Sequence, residues 1–225
     1  MREFLKNFFT TERAKMKDMT FREKAAYVWE YYKFGIIAVV VVIFILGGIV
    51  NTVWIHPPKK DFLQIAFYAG YVDDATLAGA CAALQDALMT PEELAAKQIS
   101  GSVFMTDSGD PQMDMSYQEK FAAMISARQL DLMILNDTDL DMWASQGMLA
   151  PINDYFSSET QSAVSGSLLQ STDDNGTKAD FAVKLDGNKF FTDNGLPTDG
   201  LCLGVIVNTQ YQDNVKRALD FIFNS

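Results

Sequence analysis

Between Phe34 and Ile55 the chain runs for 22 residues without a single charge, FGIIAVVVVIFILGGIVNTVWI. At about 1.5 Å per residue, a helix of that length covers roughly 33 Å and can cross the hydrocarbon core of a bilayer. The run predicts three parts: a leader over residues 1–33, a transmembrane helix over 34–55, and a domain over 56–225. Ahead of it, Thr20-Phe21-Arg22-Glu23 has the spacing of a capping box, with Phe21, Ala25, Val28 and Tyr32 following on one helical face. A helix is therefore expected to start near Thr20 and run straight into the span. Phe4, Leu5, Phe8 and Phe9 suggest either a short interfacial amphipathic helix within residues 1–18 or a partly ordered tail. Pro57-Pro58 should end the apolar helix, because neither residue has a backbone N–H to donate.

Beyond Pro58 the hydrophobic period changes repeatedly. Phe62 to Tyr68 is an almost continuous apolar run of strand length, and Leu77, Cys81, Leu84 and Leu88 then recur on one helical face. Thr90-Pro91-Glu92-Glu93 is a second helix start, and Ile99 to Met105 reads as a strand. Ser116-Tyr117-Gln118-Glu119 has capping-box spacing ahead of Phe121, Met124 and Ile125. Leu130 to Leu135 reads as a third strand, followed by a short helix through Leu140, Trp143 and Ala144 that stops at Gly147. Residues 157–178 are rich in Ser, Thr, Asp and Gly and read as a surface connection. Phe181–Leu185 and Lys189–Thr192, joined by Asp186-Gly187-Asn188, are expected to form a hairpin. Leu201 to Val207 reads as a buried strand and Val215 to Phe223 as a closing helix. Strands separated by helices imply parallel pairing, so the expected domain is α/β, mixed but mostly parallel, with four or five strands.

Charge adds direction. Five basic residues (Lys15, Lys17, Arg22, Lys24, Lys33) lie in the twenty positions before the run, against Lys59 and Lys60 in the twenty after it. That bias places the N-terminus in the cytoplasm and the large domain outside, in a single-pass arrangement at the cell membrane. Trp29, Tyr31, Tyr32 and Trp54 suit the two interfacial belts. A cleaved signal peptide is the competing reading. Its apolar core would be about 7–15 residues, followed by small residues, and no A-x-A pattern follows here. Leu77-Ala78-Gly79-Ala80-Cys81, faintly like a lipoprotein cleavage site, falls too far downstream and inside a helical pattern. Residues 56–225 carry ten basic and 24 acidic side chains, net −14, which argues against nucleic acid and anionic headgroups as partners of the domain. The leader is net +3.

From residue 61 to 156 the order of segments resembles the first lobe of extracellular solute-binding proteins of the type II periplasmic-binding class. The residues that carry the resemblance are Leu130 to Leu135, followed by Trp143-Ala144-Ser145-Gln146-Gly147-Met148-Leu149-Ala150-Pro151-Ile152-Asn153-Asp154-Tyr155-Phe156. Gly204-Val205-Ile206-Val207-Asn208 and the helix after it are similar to that lobe's return strand and helix. The resemblance implies one α/β lobe acting by binding, in a bacterial envelope, beside a transporter permease or other membrane protein. The chain departs from the family where a second lobe should stand. Residues 157–200 are too few to bury another core, so a two-lobe clamp is not expected.

Candidate chemistry is sparse. The one histidine, His56, sits at the expected membrane exit. Cys81 and Cys202 read as small buried hydrophobes, with a disulfide between them as the alternative outside the cytoplasm. Asp137, Asp139 and Asp141 alternate as in a calcium loop, but Met142 and Met148 occupy the positions that need Gly and Glu. No phosphate loop, dinucleotide fingerprint or zinc spacing occurs, so no cofactor, metal or catalytic residue is expected. In open parallel sheets ligands gather beyond the carboxyl ends of the strands. That rule selects Tyr68 and Tyr71 to stack on a sugar or peptide group, and Thr106, Asp107 and Asp137 to hydrogen-bond a small polar solute. The resulting expectation is a non-catalytic binding module for a small polar solute or another envelope protein, held in the bilayer by residues 34–55, with an accessory or scaffold subunit of a transporter-like membrane complex as the alternative.

Overall fold

The computed structural model describes residues 19–55, 59–105 and 108–224, and the chain divides into two units at Pro58/Lys59. The expected interfacial helix of residues 1–18, together with His56, Pro57 and Pro58, lies outside the described residues.

The described part of the first unit, residues 19–55, is one long helix, α1 (Phe21–Val50), whose final turn over Asn51–Ile55 widens to a π-helix. Its start is the capping box expected from the sequence. The Thr20 N–H donates to the Glu23 carboxylate at 2.8 Å, and the Glu23 N–H donates to the Thr20 hydroxyl at 3.5 Å. Lys33–Val53 is long and apolar enough to cross a membrane, and every residue from Phe34 to Val53 is exposed.

The second unit is a mixed α/β domain built on one sheet of seven strands. In chain order these are β1 (Lys60–Tyr68), β2 (Lys97–Val103), β3 (Leu132–Asn136), β4 (Leu149–Ala150), β5 (Leu168–Thr172), β6 (Lys178–Lys184) and β7 (Leu201–Ile206). They lie side by side as β2-β1-β3-β7-β6-β5, with the short β4 also on β7. The helices are α2 (Asp74–Leu88), α3 (Pro91–Ala96), α4 (Pro111–Ser126), α5 (Leu140–Ser145), α6 (Ser158–Val164), α7 (Lys189–Asp193) and α8 (Gln212–Asn224).

The core follows the two-residue period of the strands. Phe67 of β1, Leu132 and Ile134 of β3, and Leu203 and Val205 of β7 face one side, packed with Leu77 and Leu84 of α2 and Val215 and Leu219 of α8. Ala66, Met133, Leu135, Cys202 and Ile206 face the other side, packed with Phe121 and Ile125 of α4 and Trp143 of α5. The sheet is thus covered by helices on both faces. Gly101 lets α2 come this close, since a Cβ there would lie 2.7 Å from Leu77 Cγ.

Several expectations need correction. The sheet is mixed as expected, but not mostly parallel: β1 pairs β2 and β3 in parallel, while β3–β7, β4–β7, β5–β6 and β6–β7 are antiparallel. Part of the cause is the stretch 157–178, which folds into α6, β5 and the start of β6 instead of the expected surface connection. β5 and β6 join through a tight turn, which reverses chain direction, whereas β6 reaches its antiparallel neighbour β7 by way of α7. The hairpin is β5–β6, turned at Asp173-Asp174-Asn175-Gly176, where Asp173 Oδ1 accepts from the Asn175 and Thr177 N–H groups. The expected second hairpin strand, Lys189–Thr192, is helical. Asn188 caps it by accepting from the Phe191 N–H at 3.2 Å, and the adjacent Phe190 and Phe191 are both buried in one cluster, where regular strand alternation would send them to opposite faces. Helix α4 begins at Pro111 behind the Asp110 cap, not at Ser116. The Ser116 hydroxyl instead donates to the Gln112 carbonyl in mid-helix.

One buried carboxylate ties three strands together. Asp131, 1% exposed at the start of β3, accepts from the Gln64 N–H of β1 at 2.9 Å and from the Thr209 hydroxyl just beyond β7. Its own N–H donates to the Gln64 carbonyl, and its carbonyl accepts from the Ile206 N–H. Burial holds the carboxyl above its usual range, opposed by the bonds from Thr209 and Gln64. The folded state therefore keeps this proton to higher pH than the unfolded state does. Its stability contribution is largest below the unfolded value, ~3.9, and declines as pH rises through the folded value. Asp131→Ala leaves two buried donors unmet and is expected to cost about 2–4 kcal/mol in urea unfolding at pH 7. Asp131→Asn can still accept from Gln64 and is expected to cost less and to remove that pH-dependent decline. Equal stability of all three proteins across pH 3–7 would rule out the clamp.

Candidate functional site

Because β1 runs parallel to both β2 and β3, their carboxyl ends emerge at one edge of the sheet. The segments that follow them, from Ala69, Phe104 and Asp137 onward, meet there, as does the turn before β7, where the Asp137 N–H donates to the Gly200 carbonyl at 3.0 Å. Between the ends of β1 and β2 lies a groove of about 490 Å³. Tyr71, Asp73 and Asp74 line it from the β1–α2 turn, Gly101 to Val103 from the β2 edge, and Tyr117 and Lys120 from α4. A neighbouring hollow of about 450 Å³ runs along the start of α4 past Met113 and shares Tyr117 and Lys120.

The five residues selected from the sequence fare differently. Tyr71 is 74% exposed and lines the groove. Tyr68, three positions earlier, is 8% exposed and packs into an aromatic cluster. Its ring centroid lies 4.8 Å from that of Phe121 and 5.1 Å from that of Trp143, with Phe104 at 6.4 Å. The Trp143 contact is edge-to-face and the other two are tilted, and such ring pairs add to area burial, so Tyr68 helps hold α4 and α5 on the sheet; it also lines a separate hollow of about 400 Å³ with Phe121, Trp143 and Met148. Burial first, then the Asp139 and Asp114 carboxylates, raises its phenol above the usual range. Asp137 sits in a 3₁₀ turn, Asp137–Asp139, beyond β3, and is not part of the groove wall. Thr106 and Asp107 lie outside the described residues.

The groove adds four side chains that the pattern did not select: Asp73, Asp74, Tyr117 and Lys120. Tyr117 and Lys120 stand at i and i+3 on α4 and so share a face. That signal was readable, but a helix start assigned at Ser116 hides it. Lys120 Nζ sits 5.3 Å from the centre of the Phe104 ring, a cation–π contact that holds its stem over the aromatic cluster. Among the described residues neither Lys120 nor Asp73 nor Asp74 has an ion-pair partner. The wall therefore offers one free cation, two free carboxylates, two phenols and the open edge of a strand. That set suits hydrogen bonding and charge pairing with a polar ligand.

Other reactive groups lie away from this edge. Cys81 and Cys202 are free and buried, and they belong to the clusters on opposite faces of the sheet, so they do not pair. Burial pushes both thiols up to about 12. Among the described residues no group of three His, Cys, Asp or Glu could hold a metal ion.

No protein-family profile matches the chain, and no curated protein sequence does. Among solved structures, an extracellular solute-binding protein family 1 from Alicyclobacillus acidocaldarius subsp. acidocaldarius DSM 446 is similar at a TM-score of 0.34 and 14% identity. The likeness covers 57% of this chain and 28% of that protein, so this chain matches just over a quarter of its length.

With thiols held near 12, a disulfide-exchange reagent at pH 8 is expected to leave both cysteines of the folded chain unmodified and to titrate both after denaturation. The unfolded thiols ionise near ~8.5, so stability is expected to fall as pH rises above that value. Rapid labelling of the native chain would contradict the burial.

Proposed function

We propose that this chain is a membrane-anchored binding module. Residues 34–55 cross a bilayer from a cytoplasmic N-terminus, and the domain from Lys59 onward stands outside the cell. There it binds a polar ligand without catalysis, either a small solute or an exposed segment of another envelope protein. The binding surface is the carboxyl edge of the sheet around Tyr71 and Lys120.

The observation that carries the anchor is the exposure of every residue from Phe34 to Val53 in a stretch that holds no charge. Covering one large aliphatic side chain is worth about 1.5–3 kcal/mol. Leaving the twelve Val, Ile and Leu side chains of this stretch in water would forfeit tens of kcal/mol, more than the ~5–15 kcal/mol by which a domain is stable. A water-soluble helix avoids this by hiding one face; this one is apolar all round, as lipid requires. The basic bias before the span supports the orientation. The resemblance carried by residues 61–156 supports binding as the activity.

A second reading makes the chain an accessory subunit of a membrane complex such as a transporter. It is favoured by Gly35, Gly47 and Gly48, where a Cβ would meet nothing within 4 Å. Small residues of this kind let a neighbouring helix approach closely.

Protease added to intact cells is expected to degrade the domain, with digestion confined to permeabilised cells overturning the orientation. The full chain in nanodiscs, screened by thermal unfolding against sugars, polyols and amino acids, tests the solute arm. A ligand present at about 100 times its Kd would stabilise by ~2.7 kcal/mol. Tyr71→Ala and Lys120→Ala are expected to abolish such a shift with little effect on the ligand-free melting temperature. A shift unchanged in both variants would place binding elsewhere.

A further inference from the structure

We propose that the groove beside β2 takes an extended peptide segment carrying a basic side chain, which adds a strand to the sheet along Gly101–Val103. This names the ligand class of the module proposed above and rests on that reading.

Strand β2 is one edge of the sheet, paired with β1 alone. Its backbone groups alternate in direction, and three hydrogen bonds fix which ones point outward. The Phe104 N–H donates to the Phe67 carbonyl of β1, so the even-numbered groups face the sheet. The Lys97 N–H, facing away, donates to the Glu93 carbonyl at the end of α3. The Ile99 N–H, also facing away, donates to the Gln85 side chain of α2 at 3.0 Å. The first half of the edge is therefore closed by the protein itself. At Gly101 and Val103 the outward N–H and C=O groups have no partner among the described residues.

The open stretch coincides with the groove. Gly101, Ser102 and Val103 are lining residues, flanked by the start of α2 on one side and by Tyr117 and Lys120 of α4 on the other. A strand edge between two helices is a template for main-chain recognition, in which backbone bonds supply affinity and flanking pockets read alternate side chains. The opposite edge pairs less regularly: the β5–β6 register shifts at Phe181 of β6, the extra residue opposite Leu169 and Gln170 of β5, and such a bulge increases the local twist of the pair. Along β2 the register with β1 is regular from Ile99 to Val103.

Charge selects among peptides. The carboxylates of Asp73 and Asp74 line the groove without a hydrogen-bond or ion-pair partner among the described residues, in a domain whose residues 56–225 carry net −14. A Lys or Arg side chain at that end would be drawn in, and the exposed Tyr71 ring offers its stem a surface.

The test uses the full chain in nanodiscs and a positional-scanning library of octapeptides with blocked ends. Saturable binding is expected, with Lys or Arg preferred at one position. In the complex the Gly101 and Val103 amides should exchange with solvent about tenfold more slowly, or slower still, as newly formed strand hydrogen bonds require. Methylating the peptide's backbone nitrogens one at a time should abolish binding at alternate positions only. Val103→Pro, which removes an outward N–H and spares the pairing with β1, should weaken binding about tenfold or more. If that variant unfolds, the methylation scan on the unaltered protein decides the same point.

The inference is overturned if no pool binds, if binding leaves the two amides unprotected, or if methylation is tolerated at every position. Concentration-dependent protection of the two amides without peptide would also overturn it, since a second copy would then occupy the edge. A sugar or amino acid that shifts the melting temperature through Tyr71 while leaving these amides unprotected would overturn the peptide inference and keep the binding module. Peptide binding by a domain inaccessible to protease on intact cells would do the reverse.

Discussion

Strands β1, β3 and β7 are buried on both faces, and the rest of the domain is arranged around that burial. Residues 62–68 of β1, 132–135 of β3 and 201–206 of β7 are all shielded from water. Each backbone N–H and C=O in them must find a protein partner or pay a desolvation penalty of about 1–3 kcal/mol. Such strands can sit only at the middle of a sheet, between neighbours on each side and under helices on each face. Asp131 belongs to the same constraint. A buried carboxylate is tolerated because both its oxygens and its main-chain groups are engaged by Gln64, Thr209 and Ile206.

Burial of the centre leaves the periphery for function. Covering both faces with helices removes the flat surfaces from contact with a ligand, so the ends of the strands and the two outer strands remain. The parallel pairing of β1 with β2 and β3 gathers three turns at one end, and that end carries the groove. Tyr68 and Tyr71 show how sharply the boundary is drawn. One closes the aromatic cluster that holds α4 to the sheet, and three residues later the other is mostly exposed on the groove wall.

The two units place their apolar surface differently. The helix from Phe21 is capped at a polar start and then becomes apolar on every side, whereas α8 shows the opposite economy, burying Val215, Ala218, Leu219 and Ile222 and leaving its other face polar. Residues 56–225 carry net −14. Arg217 of α8 pairs with Glu93 at 3.1 Å across the domain, and together with the Thr90 capping bond this holds the Glu93 carboxyl down to about 2.

Where the deciding physics is local, the sequence by itself was enough. The caps at Thr20 and Thr90, the apolar face of α2, the uncharged run and the burial of β7 all depend on residues within a few positions of one another. Even the inward turn of Tyr68 was legible, because it shares the parity of Ala66 on a strand whose alternate residues face opposite sides. The antiparallel arrival of β7, the hairpin in a stretch rich in Ser, Thr and Asp, and the helical Phe190–Phe191 pair depended on which surfaces were available to cover the sheet. So did the edge at Gly101 and Val103: a strand is an edge only when no other strand lies beside it, and that is set by the whole sheet. Hydrophobic periodicity tells each segment what shape to take and which side to hide; only the assembled fold decides what it is hidden against, and which hydrogen bonds are left over.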